Sequence, residues 1–161
     1  MRIVGATRAH VPAVAALMAS SPLLRPYGVT ARAARASLGE AVRSGDVLLV
    51  ALDDRAVVGL AWSIRTRALD RAAYLRLLLV AAGRQSRGIG SALLLRTEHG
   101  ARAAGCRHVI LLVTASNRRA RTFYARNGYR HVANLPAFVR PRIVESLYAK
   151  RLGARARRVP R

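Results

Sequence analysis

Residues 77–95 read LLLVAAGRQSRGIGSALLL, and this stretch decides the fold. An apolar run ending at Val80 gives way to a basic loop with glycines, and apolar residues at helical spacing resume after Gly90. The pattern predicts a strand, a loop and a helix. Such a loop offers successive backbone N–H groups, and the helix begins with unpaired N–H groups at the positive end of its dipole. A phosphate or pyrophosphate is therefore the expected occupant.

Two common phosphate loops do not fit this stretch. A P-loop needs Gly-Lys-Ser/Thr, and residues 77–95 contain no lysine. The dinucleotide fingerprint needs glycine or alanine three residues after Gly90, where Leu93 stands. The pattern that remains is Gln85-x-x-Gly88-x-Gly90, in which both glycines are expected to adopt dihedrals that side chains forbid and to let the backbone approach a ligand. The alternative is a glycine-rich turn without a ligand.

The length and composition bound the domain organisation. A chain of 161 residues with 52% hydrophobic residues suits one domain with a real core. We place that domain at residues 1–152 and a basic, disordered tail at residues 153–161. Cys106 is the only cysteine, so no intramolecular disulfide is possible, and we expect a buried thiol in a reducing, cytoplasmic environment.

The charge is extreme, with 29 Lys+Arg against 7 Asp+Glu and a formal net charge of +22. The arginines are spread along the chain instead of forming one stripe, so we expect any nucleic-acid binding to be weak and non-specific. No stretch is long enough to span a membrane. The four histidines show no metal-ligand spacing, and we expect no metal site.

The order of predicted elements indicates the fold class. The pattern predicts these elements: a strand at residues 1–6, helices at 7–20 and 30–44, a hairpin of strands 47–52 and 57–64, a strand at 73–80, a helix from Gly90 to Gly105, a strand at 108–113, a helix at 118–126, and strands at 129–132 and 144–150. Local signals add four expectations: a tight turn at Asp53-Asp54-Arg55, a bulge at Gly59, a helix cap at Thr30 and a left-handed helix end at Asn127-Gly128. The order of elements predicts a mixed α/β domain around one sheet.

A second motif lies at residues 117–129, which read NRRARTFYARNGY. Its Asn, Ala, Phe-Tyr and Gly-Tyr, together with Gln85-x-x-Gly88-x-Gly90, resemble the two signatures of the GCN5-related N-acetyltransferase (GNAT) family. The resemblance extends from about Ile3 to Lys150. It implies a single-domain fold with a largely antiparallel central sheet, splayed between the strands ending near Val80 and Thr114 and flanked by about four helices, and it implies acetyl-CoA as acyl donor.

The resemblance also implies roles for individual residues. Backbone groups of Leu78 and Val80 would bond the pantetheine arm and the acetyl carbonyl, and Asn117 would contact the pantetheine. The residues implied to hold the pyrophosphate are Gln85, Ser86, Arg87, Gly88, Ile89, Gly90 and Ser91. Arg84 or Arg87 would pair with the 3′-phosphate or remain solvated. Tyr124 matches the position of the family's general acid. A phenol with a pKa near 10 stays protonated at neutral pH and can donate a proton to the departing thiolate.

The general base is less well defined. Where some family members carry a catalytic glutamate, this chain has Tyr74. Among the acids, Glu145 lies in an otherwise apolar strand and is the carboxylate candidate, with a salt bridge at the rim as its alternative role. We expect Glu98 to be a surface residue or a partner of Arg102. Trp62 is expected in the core or hairpin in preference to an acceptor pocket.

The resemblance predicts direct acetyl transfer to the primary amine of a small molecule by a monomer or homodimer. The alternatives are a protein N-terminal or lysine acetyltransferase and a non-catalytic CoA-binding or nucleic-acid-associated module. The positive field disfavours polycationic acceptors and favours neutral or anionic amines.

Overall fold

The computed structural model describes residues 1–153, and it divides into two compact units. Among the described residues, the first unit holds 1–64 and 75–97, and the second holds 65–74 and 98–153. The predicted single domain over residues 1–152 stays a prediction. The predicted tail lies, from residue 154 on, outside the described residues.

Strands and helices alternate along the chain much as the sequence predicts. In chain order the elements are β1 Arg2–Gly5, α1 Val11–Ser20, α2 Ala31–Arg43, β2 Val47–Asp53, β3 Ala56–Arg65, the single turn α3 Ala68–Arg71, β4 Ala72–Val80, α4 Ile89–Ala103, β5 His108–Thr114, α5 Arg118–Arg126, β6 Arg130–Pro136 and β7 Val144–Arg151. Short 3₁₀ turns lie at Arg8–His10, Arg25–Tyr27 and Ala82–Arg84. The predicted mixed α/β class is confirmed.

In the first unit the strands follow one another in the order β1, β2, β3 and β4. β1 pairs antiparallel with β2, and β2 with β3. The hairpin turns through Asp54 and Arg55, as the sequence predicts, and Asp54 has a left-handed φ of 54°. A register shift places Gly59 opposite Ala51 but Val57 opposite Leu52, so the predicted bulge lies beside Gly59.

The core of the first unit lies between this sheet and helices α1 and α2. Thr30 begins α2 by accepting a hydrogen bond from the Ala33 amide at 3.2 Å, and Gly45, with a φ of 74°, follows the end of the helix. Trp62 is 5% exposed and belongs to this core, as predicted. The largest residues buried with it are Val14, Met18, Leu38, Leu48, Val50, Leu52, Leu60 and Leu79.

In the second unit β7 lies between β5 and β6 and pairs antiparallel with both. Alternate residues of β5, namely Val109, Leu111 and Val113, are buried, which is the period expected of a strand with one covered face. α5 ends where Gly128 adopts the predicted left-handed φ, at 83°. Cys106 is buried, as predicted.

Candidate functional site

The loop after β4 is held in place by backbone and side-chain hydrogen bonds. The Ala81 amide donates to Val58 O at 2.9 Å, and the chain then makes the 3₁₀ turn Ala82–Arg84. The Gln85 side-chain amide donates to Val80 O at 3.3 Å. Gln85 therefore closes the loop back onto the last residue of β4.

Two residues of the loop have left-handed backbone, Ser86 with a φ of 62° and Gly88 with a φ of 78°. Gly88 accepts the first helical hydrogen bond of α4, from the Ala92 amide at 2.9 Å. Gly90 is the second residue of α4, so the expectation of an unusual dihedral holds for Gly88 and is wrong for Gly90. The first N–H groups of a helix have no partner within it, so the start of α4 presents backbone N–H groups as hydrogen-bond donors.

The start of α4 lies unusually close to the sheet of the first unit because β3 carries Gly59. A Cβ on Gly59 would lie 3.0 Å from Leu93 Cδ1, 3.2 Å from Leu79 O and 3.3 Å from Ile89 Cγ2. Leu93 is fully buried and Ile89 is 5% exposed. Gly59 thus fixes the position of the helix that begins at the loop, a role that the sequence pattern did not indicate.

The two loop arginines differ in their surroundings. The Arg84 guanidinium pairs with Asp53, the last residue of β2, whereas Arg87 is exposed. Both partners of the Arg84 pair are about a third or more exposed, so the pair adds little stability. Its effect is to hold Arg84 against the hairpin, which leaves Arg87 as the exposed cation of the loop.

Three further residues of the predicted donor site also lie in the first unit. Leu78 and Val80 are half-buried near the end of β4. Ser91 is exposed in the first turn of α4. The first unit therefore brings together nine of the predicted site residues: Leu78, Val80, Gln85, Ser86, Arg87, Gly88, Ile89, Gly90 and Ser91.

The second unit holds the remaining four predicted residues, Tyr74, Asn117, Tyr124 and Glu145. Asn117 begins α5, where its Oδ1 accepts a hydrogen bond from the Ala120 amide at 3.0 Å. An asparagine at this position satisfies one of the helix's unpaired donors. Asn117 therefore has a structural role in addition to the predicted contact.

Tyr124 is the buried residue of α5, at 7% exposure. Its ring makes edge-to-face contacts with Phe123 and Tyr129, at centroid distances of 5.2 and 5.5 Å. Burial raises the pKa of the Tyr124 hydroxyl well above its usual value. The hydroxyl is therefore protonated at neutral pH.

The two base candidates lie on different strands. Tyr74 is half-buried on β4. Glu145 is only 2% exposed on β7, in register with Thr114 of β5 and Leu135 of β6. This burial does not support a position at the rim, and a salt bridge of Glu145 stays a prediction.

Sequence reasoning missed a cluster around Glu98, which is 4% exposed instead of lying at the surface. Lys150 Nζ contacts Glu98 Oε2 at 2.7 Å and Oε1 at 2.9 Å, and the Tyr129 hydroxyl donates to Oε1 at 3.0 Å. The expected pairing of Glu98 with Arg102 is therefore wrong. The one signal in the sequence was that Lys150 is the chain's only lysine.

The family is decided by a sequence comparison. The model described as the Acetyltransferase (GNAT) family matches residues 18–129, more than half of the chain. The chain belongs to the GNAT family. The predicted family and acetyltransferase class are confirmed, while no curated protein sequence matches.

Solved GNAT structures share this fold. An acetyltransferase of the family from Desulfovibrio desulfuricans is 24% identical with a TM-score of 0.82, covering 94% of this chain and 99% of its own. The ribosomal-protein-alanine N-acetyltransferase of Brucella melitensis is 21% identical with a TM-score of 0.79, covering 94% and 100%. An aminoglycoside 6′-N-acetyltransferase complexed with coenzyme A is 18% identical with a TM-score of 0.78, covering 96% and 99%.

Within the part of the chain that the structure describes, no group of three His, Cys, Asp or Glu side chains is placed to hold a metal ion. No helix among residues 1–153 has both the length and the apolar character of a membrane span.

Proposed function

We propose that this GNAT protein transfers the acetyl group of acetyl-CoA to a primary amine of a small molecule. The observation that carries the proposal is the loop after β4, where Gly88 adopts a left-handed φ of 78° and α4 begins directly afterwards. The first N–H groups of a helix have no partner within the helix. A helix N-terminus approached through such a loop suits a pyrophosphate. The neighbour that contains coenzyme A supports the choice of ligand.

The first unit would bind the donor. Residues 85–91 would hold the pyrophosphate through backbone N–H groups, and Arg87, as the exposed loop cation, would pair with the 3′-phosphate. Backbone groups of Leu78 and Val80 would bond the pantetheine and polarise the acetyl carbonyl. Acetyl-CoA itself supplies a thioester, whose acyl carbon is open to attack by an amine.

Tyr124 would supply the proton. A phenol keeps its proton at neutral pH, since its ordinary pKa is about 10, and the Tyr124 hydroxyl would give that proton to the sulfur as the carbon–sulfur bond breaks. A thiol has a pKa of about 8.5, so a departing thiolate accepts a proton readily near pH 7. Asn117 uses Oδ1 to cap α5, so its pantetheine contact is assigned to the amide nitrogen.

The attacking amine must also lose a proton. An alkylamine has a pKa of about 10 and is mostly protonated at pH 7. Glu145 is the candidate carboxylate, acting through water, and Tyr74 occupies the strand position where some family members carry a glutamate. Replacement of Glu145 by Gln should raise the pH at which the rate reaches its plateau if Glu145 has this role.

A peptide N-terminus is the second candidate acceptor. The Brucella melitensis neighbour, named for a ribosomal-protein alanine, matches this chain as well as the aminoglycoside enzyme does. The net charge of +22 separates the small-molecule options, because a strongly positive surface repels an aminoglycoside polycation and favours neutral or anionic amines.

An assay of thiol release from acetyl-CoA tests the proposal. The panel comprises neutral, anionic and polycationic small amines and peptides with free N-terminal alanine or internal lysine, at near-physiological salt. We expect the highest kcat/KM with a neutral or anionic small amine. A higher kcat/KM with peptides would favour a peptide N-terminus as the acceptor. Absence of thiol release with every amine would refute acetyl transfer by this protein.

A further inference from the structure

The buried cluster around Glu98 is not used by the reaction as proposed above. Glu98 lies in the C-terminal part of α4, Lys150 near the end of β7, and Tyr129 just before β6. The Lys150 and Glu98 side chains are 26% and 6% exposed. Charged side chains this far from solvent are uncommon unless they are paired, and here one carboxylate accepts hydrogen bonds from both an ammonium and a phenol.

Tyr129 connects this cluster to Tyr124 in two ways. The two rings make an edge-to-face contact, with centroids 5.5 Å apart and planes inclined at 68°. The Tyr129 amide also donates to Tyr124 O at 3.0 Å, at the end of α5. The first contact packs the Tyr124 ring against the Tyr129 ring, and the second ties the backbone of Tyr129 to that of Tyr124.

The hydroxyl of Tyr129 fixes the orientation of its own ring. Burial, together with the negative charge of Glu98, raises the pKa of Tyr129, so its hydroxyl remains a donor to Glu98 Oε1. Lys150 Nζ contacts both oxygens of the same carboxylate and lies 5.5 Å from the Tyr129 ring centroid. The carboxylate is therefore held from two sides, and the phenol is held by the carboxylate.

A buried ion pair is a poor source of stability, because removing two charges from water offsets most of their attraction. Apolar side chains of similar volume would stabilise the same position as well. What apolar side chains cannot provide is direction, since a hydrogen bond fixes both distance and angle. The hydrogen bonds around Glu98 are suited to fixing the orientation of the Tyr129 ring.

We propose that Lys150, Glu98 and Tyr129 form a positioning network that holds the Tyr124 ring in the orientation required for proton donation. The three are positioning residues, since each acts through Tyr124. The inference rests on the proposed function only for its effect on the rate of acetyl transfer. How firmly the Tyr124 ring is held can be measured in the protein without substrate.

Replacement of Tyr129 by Phe is the sharpest test, because it keeps the ring contact and removes only the hydroxyl that bonds Glu98. We expect kcat for thiol release to fall about 10-fold, as for a misplaced catalytic group, with the Kd for acetyl-CoA unchanged. Tyr148→Phe is the matched control, since it removes another buried phenol of the second unit, one that accepts from Arg121 Nε at 3.2 Å. It should leave kcat unchanged.

A double-mutant cycle separates positioning from general loss of structure. In a Tyr124→Phe background, Tyr129→Phe should have no further effect on kcat, because the group that it positions has been removed. Equal losses in both backgrounds, or no loss in the wild-type background, would overturn the inference.

Ring flipping of Tyr124 gives a readout that needs no turnover. With only five tyrosines, ring-labelled protein gives an assignable NMR spectrum. We expect Tyr124 to flip faster in Tyr129→Phe and in Glu98→Gln than in the wild type. Unchanged flipping in both variants would overturn the network even in an active enzyme, whereas faster flipping in a protein that transfers no acetyl group would refute only the proposed function.

Discussion

The loop between β4 and α4 presents backbone atoms, whereas the end of α5 presents side chains. In the loop, the conformation of Gly88 and the start of α4 create the donors, and all of these residues are close in sequence. At the end of α5, Tyr124 is surrounded by side chains, and its neighbour Tyr129 bonds Glu98, 31 residues away in sequence. A site made of backbone can be found in a local pattern, while a site made of side-chain contacts depends on the whole fold.

The difference predicts which kinetic parameter each region controls. Changes in the loop should alter affinity for acetyl-CoA, and changes around Tyr124 should alter kcat or stability.

The largest effect is expected from Tyr124→Phe, which removes the assigned acid and keeps the buried ring. General acid catalysis contributes about 10²–10⁴-fold, so kcat should fall within that range while the Kd for acetyl-CoA stays within about twofold. Steady-state thiol release and a binding titration on the same preparation measure both. If kcat is unchanged, another group donates the proton and the division between the two regions fails.

A large effect on stability is expected from Lys150→Met. The change leaves the Glu98 carboxylate buried with a phenol donor but without its cation, and breaking a buried pair costs about 3 kcal/mol at the lower end of the usual range, fitting the partial exposure of Lys150. Urea denaturation measures the free energy of unfolding. The double variant Lys150→Met/Glu98→Gln should recover most of the loss, and a double variant as unstable as the single one would contradict this explanation.

A smaller effect is expected from Gly88→Ala, which tests the loop. A left-handed φ costs a residue with a Cβ about 1–2 kcal/mol, so the loop should shift and the Kd for acetyl-CoA should rise about 5- to 30-fold with kcat at saturation nearly unchanged. Gly83→Ala is the matched control, because a Cβ there meets nothing within 4 Å and its φ is not left-handed. Similar Kd values for the two variants would show that the loop conformation does not control binding.

The smallest effect at neutral pH is expected from the ionisation of the buried tyrosines. The folded-state pKa values of Tyr124 and Tyr129 are raised above the unfolded value of about 10, so their contribution to stability is complete below pH 10 and is lost as the pH rises above it. Denaturation curves between pH 8 and 11 should show stability falling at the alkaline end, less steeply in Tyr129→Phe. If the free energy of unfolding fell equally steeply with pH in Tyr129→Phe, the raised pKa of Tyr129 would be contradicted.

The sequence predicted the local features well, because they depend on residue types that are adjacent in the chain. The hairpin turn at Asp54, the cap at Thr30, the left-handed Gly128 and the bounds of α5 agree with the structure. The expectation of an unusual backbone dihedral at Gly90 is wrong, because Gly90 already lies within α4.

The sequence could not predict features that depend on distant residues. Glu98 reads as a surface residue of an amphipathic helix, and only the position of Lys150 on β7 makes its burial possible. Gly59 reads as a strand irregularity, and only the approach of Leu93 and Ile89 reveals why a side chain would not fit there. The acceptor is undetermined for a related reason, because no local motif at Tyr74 or Glu145 specifies it.

The most direct test of the donor site is an isothermal titration of the wild-type protein with acetyl-CoA and with acetyl-pantetheine, which has the same thioester but lacks the pyrophosphate. The measurement is made at near-physiological salt with ATP as a control, because a net charge of +22 attracts any polyanion. We expect saturable binding of acetyl-CoA, at least about 10-fold weaker binding of acetyl-pantetheine, and only weak binding of ATP. Equal affinity for the two thioesters, or no binding of acetyl-CoA, would contradict the assignment of residues 85–91 to the pyrophosphate.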